Sequence, residues 1–337
     1  MLDKYKISLS TPIYHLSQQL EQILLPVIQS YDEGFLQVSD VHSLWYAQYG
    51  NPQGIPVIFL HGGPGLGCGP NDMRYCDPKF YRIILMDQRG ARRSTPHADM
   101  RENSTPKLID DIEQLRERLQ ISKWLVFGGS WGSALALLYG QAHPESCLGF
   151  ILRGTFLARK SDADNLWFGM RDIFPEEWDA MYQYLPTTER SDLVAAYHKR
   201  LMDPDPTIHL PAARAFMDYD LKAGVLIYDP VQIKQLLADD LRILGAARMF
   251  CHYYYNNFFI EENQILNNMH KIETLPAQIV HGRYDIICRL KNSYDLLQNW
   301  PNAQLTIVQD AGHTTGEPGI AKHLIAASEA MKAVCAN

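Results

Sequence analysis

The sequence has no long uninterrupted hydrophobic run and no concentration of positive charge. Nowhere do about 18 apolar residues follow one another, and the first twenty residues lack the apolar core of a secretory signal. The 337 residues carry a formal net charge of −7 without any Lys/Arg-rich run, which argues against binding to a phosphate backbone. We therefore expect a cytoplasmic protein that neither crosses a membrane nor binds nucleic acid.

Cysteine occurs in no arrangement that implies a cross-link or a metal site. The six cysteines are Cys68, Cys76, Cys147, Cys251, Cys288 and Cys335. They form no CxxC pair and have no histidine partner at the spacing of zinc ligands. We expect most of them to be buried, reduced thiols. Internal repeats and low-complexity segments are also absent, so domain boundaries must be inferred from changes of pattern.

What is present is a regular alternation of strand and helix patterns, with 46% hydrophobic residues for the core. Short apolar runs alternate with helical patterns such as LIDDIEQLRERL. The runs are IPVIFL (55–60), YRIILM (81–86), KWLVF (123–127) and LGFIL (148–152). This alternation predicts an α/β fold, a mostly parallel twisted sheet flanked by helices. Upstream, GFLQV and SLWYAQYG predict an antiparallel entry hairpin, and residues 11–30 a short amphipathic helix.

The pattern changes near residue 158 and changes back near residue 270. Between these points helical spacing dominates, with aromatic-rich stretches DNLWFGMRDIF, EEWDAMYQYL, AARAFMDYD and ARMFCHYYYNNFF. Strands AQIVHG and AQLTIV then return, with helices over 291–299 and 319–334. We expect residues 1–30 to be an extension, residues 31–157 and 271–337 to form one core domain, and residues 158–270 to be an inserted helical cap.

A serine stands at a corner between a predicted strand and a predicted helix. Gly128-Gly129-Ser130-Trp131-Gly132 fits the pattern G-x-S-x-G, between KWLVF and WGSALALLYGQA. A turn this tight forces the serine to a positive φ, at a cost of about 1–3 kcal/mol, and excludes side chains nearby. The alternative is a Gly/Ser turn without chemical consequence, but the strand-to-helix context favours a nucleophile.

A serine nucleophile needs a base and an acid that orients the base. On such folds the chain order is serine, acid, histidine. Asp285 in VHGRYDIIC and His313 in IVQDAGHTTGE each follow a predicted strand, at the sheet edge where open α/β sheets collect catalytic groups. Taken singly, the aspartate could be a turn residue and the histidine a surface residue.

Other acids and histidines fit this scheme less well. Asp87 and His61 follow strands but precede Ser130. Asp310 lies too near His313 for an obvious separate role, and we interpret His281 as part of the structure at the end of its strand.

An acyl-transfer site also needs donors for the oxyanion of the tetrahedral intermediate. The backbone N–H of Trp131, one residue after the nucleophile, is the first candidate. The loop HGGPGLG after the first core strand provides the second, which we assign to Gly63, because glycine lets the backbone approach the substrate.

Beyond these positions, the chain resembles the proline iminopeptidases of the serine-peptidase type within the α/β-hydrolase superfamily. The resembling stretches are FLHGGPGLG, MDQRGARRST, FGGSWGSALAL, QAHPE, LRGTF, AAYHKRL, AARAF, VHGRYDIIC and DAGHTTGEPGI. They span the chain from about residue 31 to its end, cap included. The resemblance implies an aminopeptidase that releases N-terminal proline from small peptides through an acyl-enzyme, with no metal or organic cofactor. It leaves the oligomeric state open.

The resemblance also implies carboxylates in the cap that bind the free amine of the substrate. One glutamate of the family corresponds to Asp220 in AARAFMDYD, one methylene shorter. A second corresponds to Phe250 in ARMFCHYY, so half of the expected amine clamp is replaced by an apolar ring. Asp220 itself, Glu261 or Glu262 are the residues that could compensate.

Three further positions follow from the same comparison. Phe156 in LRGTF and Cys288 in YDIICR match residues that line the proline pocket of the family, although each alone would pass for core packing. Arg92 stands where the family usually has glycine, and we interpret it as a solvated loop residue rather than a selector of substrates. The replacement at Phe250 leaves an esterase or amidase for small acyl groups as an alternative function, and a non-catalytic ligand-binding protein as another.

Overall fold

The computed structural model describes residues 16–335, and its centre is a sheet of eight strands. They are β1 (Asp32–Gln37), β2 (Ser43–Gly50), β3 (Ile55–Leu60), β4 (Tyr81–Met86), β5 (Trp124–Gly129), β6 (Cys147–Arg153), β7 (Ala277–Gly282) and β8 (Ala303–Val308). Their order is β1-β2-β4-β3-β5-β6-β7-β8. Strand β2 pairs antiparallel with β1 and β4, and the remaining pairs are parallel. The expected α/β sheet and its entry hairpin are confirmed.

The sheet is covered on both faces, which is why its strands are short apolar runs rather than alternating ones. In β3, Ile58 and Leu60 belong to one hydrophobic core, whereas Val57 and Phe59 belong to the core on the other face. Every residue of β5 is buried. The nucleophile corner predicted after β5 therefore stands on the most enclosed part of the sheet.

Five helices flank the sheet. They are α1 (Leu16–Ile23), α2 (Thr105–Arg118), α3 (Trp131–Ala142), α11 (Leu290–Gln298) and α12 (Pro318–Cys335). Buried residues of α2, α3 and α11 join the first core, and those of α12 join the second. Of the amphipathic helix predicted over 11–30, the structure has α1, and residues 11–15 lie outside the described residues.

The helices between β6 and β7 form the cap. They are α4 (Lys160–Asp164), α5 (Pro175–Tyr184), α6 (Leu193–Leu201), α7 (Pro206–Ala223), α8 (Pro230–Leu237), α9 (Asp240–Tyr255) and α10 (Gln264–Asn267). Helices α6 to α9 each begin after an aspartate whose carboxylate accepts a backbone N–H of the first turn. The local sequence thus marks the start of these four cap helices.

Segment 16–30 is tied to the core by Arg74, which is buried. The guanidinium donates to both carboxylate oxygens of Glu21, at 3.0 and 2.9 Å, and to the carbonyl of Leu25 at 2.6 Å. The six cysteines are all unpaired, and five of them are buried. None of the helices described is long and apolar enough to cross a membrane.

Candidate active site

The site lies where the parallel strands end. Ser130 follows β5, Arg153 ends β6, Asp285 follows β7 and His313 follows β8. Because neighbouring parallel strands end at one edge of the sheet, residues separated by more than 150 positions in the chain meet there. The serine, the acid and the histidine predicted from the sequence all lie at this edge.

Ser130 occupies a strained corner between β5 and α3. Its φ is 57° and its ψ −126°, a conformation that side-chain-bearing residues rarely adopt, and its N–H donates to the carbonyl of Arg153 at 2.9 Å. A Cβ on Gly128 would lie 2.1 Å from the oxygen of Gly132, and one on Gly132 would lie 1.9 Å from the oxygen of Leu60. Glycines are therefore required around the serine, as the motif predicts.

Asp285 and His313 form a direct hydrogen bond. His313 Nδ1 lies 2.7 Å from Asp285 Oδ2, and because a carboxylate only accepts, Nδ1 carries the proton and Nε2 is left as the acceptor. The other carboxylate oxygen accepts the N–H of Cys288 at 2.8 Å. Burial by itself would raise the pKa of Asp285, but the imidazoles of His313 and His281 outweigh it and hold that pKa below its usual range. The acid is thus ionised and fixed in place.

His281 is a second imidazole in contact with Asp285. Its ring is fully buried, with Nε2 3.3 Å from Asp285 Oδ2 and 2.6 Å from the carbonyl of Cys288, and Nδ1 2.6 Å from Ser293 Oγ. These contacts agree with its interpretation as strand-end structure. They add a role that the sequence did not indicate, since the ring also touches the acid.

Arg153 contacts both the serine and the histidine. Besides accepting the Ser130 N–H, it places Nη1 3.1 Å from His313 Nε2 and donates to the His313 carbonyl at 3.1 Å. The Ser130 hydroxyl has Cys288 Sγ at 3.9 Å. The guanidinium, rather than the Ser130 hydroxyl, is the hydrogen-bond partner of Nε2. Catalytic bonds of this kind commonly align only with substrate bound.

Burial lowers the pKa of His313, and the charge of Arg153 lowers it further while Asp285 opposes both. The imidazole is therefore neutral at pH 7, which is the state that a general base requires. Burial also raises the pKa of the Cys288 thiol well above its ordinary value, so this neighbouring sulfur is a thiol and not a competing thiolate nucleophile.

Gly154 makes room for the acid and the base. Its φ is 53°, and a Cβ there would lie 3.0 Å from His313 Nδ1 and 3.1 Å from Asp285 Oδ2. Any side chain at this position would press on the hydrogen bond that joins them.

The proposed oxyanion donors lie on the two loops that meet at Ser130. Trp131 N is the first backbone nitrogen of α3, and its indole donates to Gln88 Oε1 at 2.9 Å. Gln88 in turn bonds to the ring and to the carbonyl of His61, at 3.0 and 2.9 Å. A Cβ on Gly62 would lie 3.1 Å from Ser130 Cβ, so the glycine loop that continues into Gly63 runs directly beside the nucleophile.

The earlier competitors have structural roles. His61 is buried and joined to Gln88 as described, and Asp87 is buried against Arg93, whose guanidinium donates to it at 2.6 and 2.9 Å. Asp87 also accepts the N–H of Cys68 at 2.7 Å.

An aromatic wall adjoins the nucleophile. Phe156 and Cys288 are both buried, and the Phe156 ring meets the Phe258 ring edge to face at 5.2 Å between centroids. Phe258 also stacks on Trp131 at 5.7 Å. Phe250 lies farther into the cap, with its centroid 5.4 Å from Phe216 and 6.5 Å from Phe258. Of the two residues expected to line the pocket, Cys288 lies beside the Ser130 hydroxyl, and Phe156 donates its N–H to Ser133 Oγ at 3.0 Å. Phe258, which the sequence did not single out, connects Phe156 to Phe250.

Asp220 lies in the last turn of α7, where the cap reaches the loop that carries Asp285. A Cβ on Gly224 would lie 3.3 Å both from the Asp220 carbonyl and from Ile287 Cδ1. Burial raises the pKa of Asp220 to about 6, and among the described residues no side chain opposes that rise. A half-buried carboxylate without a cation is suited to bind one.

The other candidate acids of the cap are exposed to solvent. Glu261 and Glu262 are exposed, and Glu262 accepts the N–H of Lys160 at 3.0 Å. Arg92 is half-buried at a φ of 40°, and its guanidinium donates to the carbonyl of Cys68 at 2.8 Å, so it is not a freely solvated residue.

Two residues to which the sequence patterns assigned no role also contact the site or its loops. Arg153 lies in LRGTF and Glu317 in DAGHTTGEPGI. A charged residue at the end of a buried strand was the available signal for Arg153. Among the described residues, no cluster of three His, Cys, Asp or Glu side chains has the arrangement of a metal site.

The chain is similar to known proteins over most of its length. The α/β hydrolase fold family matches residues 55–319. A protein of Arabidopsis thaliana named proline iminopeptidase is 47% identical over 93% of this chain and 83% of its own length. A proline iminopeptidase of Xylella fastidiosa strain 9a5c is 44% identical over 91% of this chain and 99% of its own. The crystal structure of a Mycobacterium smegmatis proline iminopeptidase superposes with a TM-score of 0.56 at 18% identity, over 89% of this chain and 99% of that one.

Proposed function

The chain belongs to the proline iminopeptidase family of α/β hydrolases, and from that membership we propose that it is a serine aminopeptidase that releases proline from the amino terminus of small peptides. The observation that carries the proposal is the Asp285–His313 hydrogen bond at 2.7 Å, beside a serine held at a strained corner. We assign residues 31–157 and 271–337 to the catalytic core and residues 158–270 to a cap that binds the substrate.

In the proposed reaction, Ser130 attacks the carbonyl carbon of the first residue of the peptide. Its hydroxyl proton passes to His313 Nε2, which must first exchange its bond with Arg153 for one with the serine. Asp285 holds the protonated imidazole by the existing bond to Nδ1 and stabilises its charge. His313 then gives the proton to the leaving amine, and the rest of the peptide departs.

The negative oxygen formed in this step needs donors that are already in place. We assign the N–H groups of Trp131 and Gly63 to it, on the two loops that Gln88 joins. Each such donor is typically worth about 3–4 kcal/mol. A water molecule, deprotonated by His313, then hydrolyses the prolyl-enzyme and restores Ser130.

Selection for a free amino terminus is assigned to Asp220. The proline ring would lie against Phe156 and Cys288, and its ammonium would pair with the Asp220 carboxylate, whose ionisation burial disfavours until a cation arrives. Phe250 offers no charge, so the amine site has one carboxylate where the family pattern has two.

The experiment is a comparison of three substrates. We expect purified wild-type enzyme to cleave prolyl-arylamide with a kcat/KM at least about 100-fold above that for N-acetyl-prolyl-arylamide, because acylation removes the charge that Asp220 pairs with. A small uncharged ester is the third substrate, and Ser130→Ala is the control that separates enzyme from contaminant. Preference for the ester or for the acetylated amide would favour the esterase or amidase alternative, and equal rates from Ser130→Ala would contradict the proposal.

A further inference from the structure

A buried carboxylate joins the cap to the loop of the catalytic histidine. Glu317 is 5% exposed. Its Oε1 accepts the N–H of Leu226 at 2.7 Å, and its Oε2 accepts the N–H of Gly312 at 2.6 Å. Leu226 belongs to the cap segment after α7, and Gly312 immediately precedes His313. One side chain therefore connects the cap to the loop of His313, two parts of the chain whose separation matters for the proposed reaction.

The Glu317 carboxylate does not cap the helix that follows it. Glu317 precedes α12, and its backbone carbonyl accepts the N–H of Ala321 at 3.0 Å, but both side-chain oxygens are directed to amides outside that helix. A helix-capping side chain would instead bond to the first N–H groups of its own helix. The stabilisation of α12 thus does not account for the placement of this acid.

The two backbone segments that Glu317 joins pass close to each other at Gly312. A Cβ on Gly312 would lie 3.2 Å from Leu226 N and 3.4 Å from Glu317 Oε1, and a Cβ on Gly282 would lie 1.9 Å from the oxygen of Gly312. The segment before His313 is therefore held between the end of β7 on one side and the cap on the other, and Glu317 bonds across the cap side.

The cap segment in question leads directly to the amine site. Asp220 accepts the N–H of Gly224 through its carbonyl at 3.0 Å, in the turn that ends α7, and Leu226 is two residues farther on. A shift of Leu226 relative to Gly312 would change the separation between the Asp220 carboxylate and the His313 imidazole. Substrate spans this separation, because its ammonium and its scissile carbonyl are parts of one small residue.

We propose that Glu317 is a positioning residue that fixes the distance between the amine-binding carboxylate of the cap and the catalytic imidazole of the core. The inference rests on the proposed function, in which Asp220 binds the ammonium and His313 is the base. This role differs from a general structural one in what it predicts. Loss of the Glu317 link should affect substrates that bind both Asp220 and the nucleophile more than substrates that bind at the nucleophile alone.

The test compares Glu317→Gln with Glu329→Gln, a matched control on α12 whose carboxylate is half-exposed and paired with Lys332. Glutamine keeps the size of the side chain but turns an NH₂ group toward one of the two amides, so one bond is lost. We expect kcat/KM for prolyl-arylamide to fall about 10-fold or more, mainly through KM, and that for a small uncharged ester to fall less than about 3-fold. The control variant should match wild type on both substrates.

Hydrogen–deuterium exchange of the same variants tests the link independently of any substrate. Exchange should rise in the peptides that contain Leu226 and Gly312 in Glu317→Gln and remain unchanged in Glu329→Gln. Unchanged exchange, or equal losses on amide and ester, would overturn the inference. If wild type does not cleave prolyl-arylamide, the proposed function fails instead, and the exchange result alone decides whether the link exists.

Discussion

At the scale of single residues, the chemistry depends on which buried carboxylates have partners. Asp285 also accepts a backbone N–H, and although burial would raise its pKa, its two imidazole neighbours hold that pKa below the usual range and keep the group charged. Asp220 has no such partner in the described structure, and burial raises its pKa to about 6. We therefore propose two purposes for the same residue type, orienting a base in one place and receiving a substrate cation in the other.

The role of Asp220 is tested by its amide. In Asp220→Asn we expect KM for prolyl-arylamide to rise about 10- to 100-fold with little change for an uncharged ester, because a charge-assisted bond contributes about 1.5–3 kcal/mol. Asp218→Asn is the control, since Asp218 lies on the same helix and pairs with Lys222 at 2.7 Å. Steady-state kinetics on the two substrates give the answer, and equal KM values for Asp220→Asn and wild type would remove Asp220 from the amine site.

The pH dependence should differ between the two substrate types. As pH falls through about 6, Asp220 takes up a proton and loses the negative charge that pairs with the substrate ammonium. His313 takes up a proton at a pH below its ordinary value near 6.5 and ceases to be a base. For prolyl-arylamide, log kcat/KM should therefore fall with a slope approaching 2 on the acid side, and for an uncharged ester with a slope of about 1.

Asp220→Asn supplies the check on this pH profile. The variant should show the slope of about 1 with the prolyl substrate also, because only the imidazole still titrates. A slope that remains near 2 in the variant would mean that another group supplies the second proton.

At the scale of elements, the corner between β5 and α3 is where backbone geometry decides the chemistry. The serine is at positive φ because the chain must turn from a buried strand into a buried helix within one residue, and Gly128 and Gly132 lie against backbone oxygen atoms. Strand β5 and helix α3 are packed too closely for the backbone at this corner to shift.

We expect Gly132→Ala to lose activity together with stability. The added methyl would meet the backbone oxygen of Leu60 at 1.9 Å, and backbone cannot move aside as a flexible side chain can. Overpacking of this kind costs about 1–3 kcal/mol or more. Gly34→Ala in β1 is the control, because its Cβ would lie 3.4 Å from Tyr46 OH, an ordinary contact. Thermal unfolding of the two variants should separate them, and equal melting temperatures would contradict the argument.

Elements with strong local patterns could be predicted from the sequence, and their long-range contacts could not. The runs 55–60, 81–86, 277–282 and 303–308 are strands at the expected positions because buried parallel strands are continuous apolar runs. The helical pattern over 247–259, by contrast, ends at Tyr255. Phe258 has a φ of 53° there, and its ring packs on Trp131, a tertiary contact that no local periodicity reveals.

The candidate site, too, could be predicted from the sequence only in part. Motif and chain order predicted the serine, the acid and the histidine, since each follows a strand with a recognisable pattern. The roles of Arg153 and Glu317 arise from bonds to residues 160 and 91 positions away, which one sequence does not show.

At the scale of the whole molecule, the cap is attached to the core by a buried polar contact as well as by aromatic packing. Asn103 of the core is buried and accepts the Tyr253 hydroxyl at 2.8 Å, and its amide group donates to the carbonyl of Arg89 at 3.0 Å. Its backbone carbonyl bonds to His252 Nε2 at 2.8 Å. Core and cap therefore share one hydrophobic cluster and one hydrogen-bond network.

We expect Asn103→Ala to destabilise the whole protein by about 2–4 kcal/mol, because it leaves the Tyr253 hydroxyl and the Arg89 carbonyl buried without a partner. The control is Asn302→Ala, an exposed residue that bonds to the carbonyl of Thr274, where the change should stay within about 1 kcal/mol. Chemical denaturation measures both. A cap that unfolds in a separate, earlier transition while the core is unaffected would contradict the shared network.

The central claim is that His313, held by Asp285, makes Ser130 a nucleophile. Mass spectrometry of the protein after reaction with a fluorophosphonate tests this most directly. Wild type should gain one adduct on the peptide that contains Ser130, His313→Ala should react at least about 10³-fold more slowly, and Ser130→Ala should not react. An adduct on another residue, or a His313→Ala variant that reacts at the wild-type rate, would contradict the account.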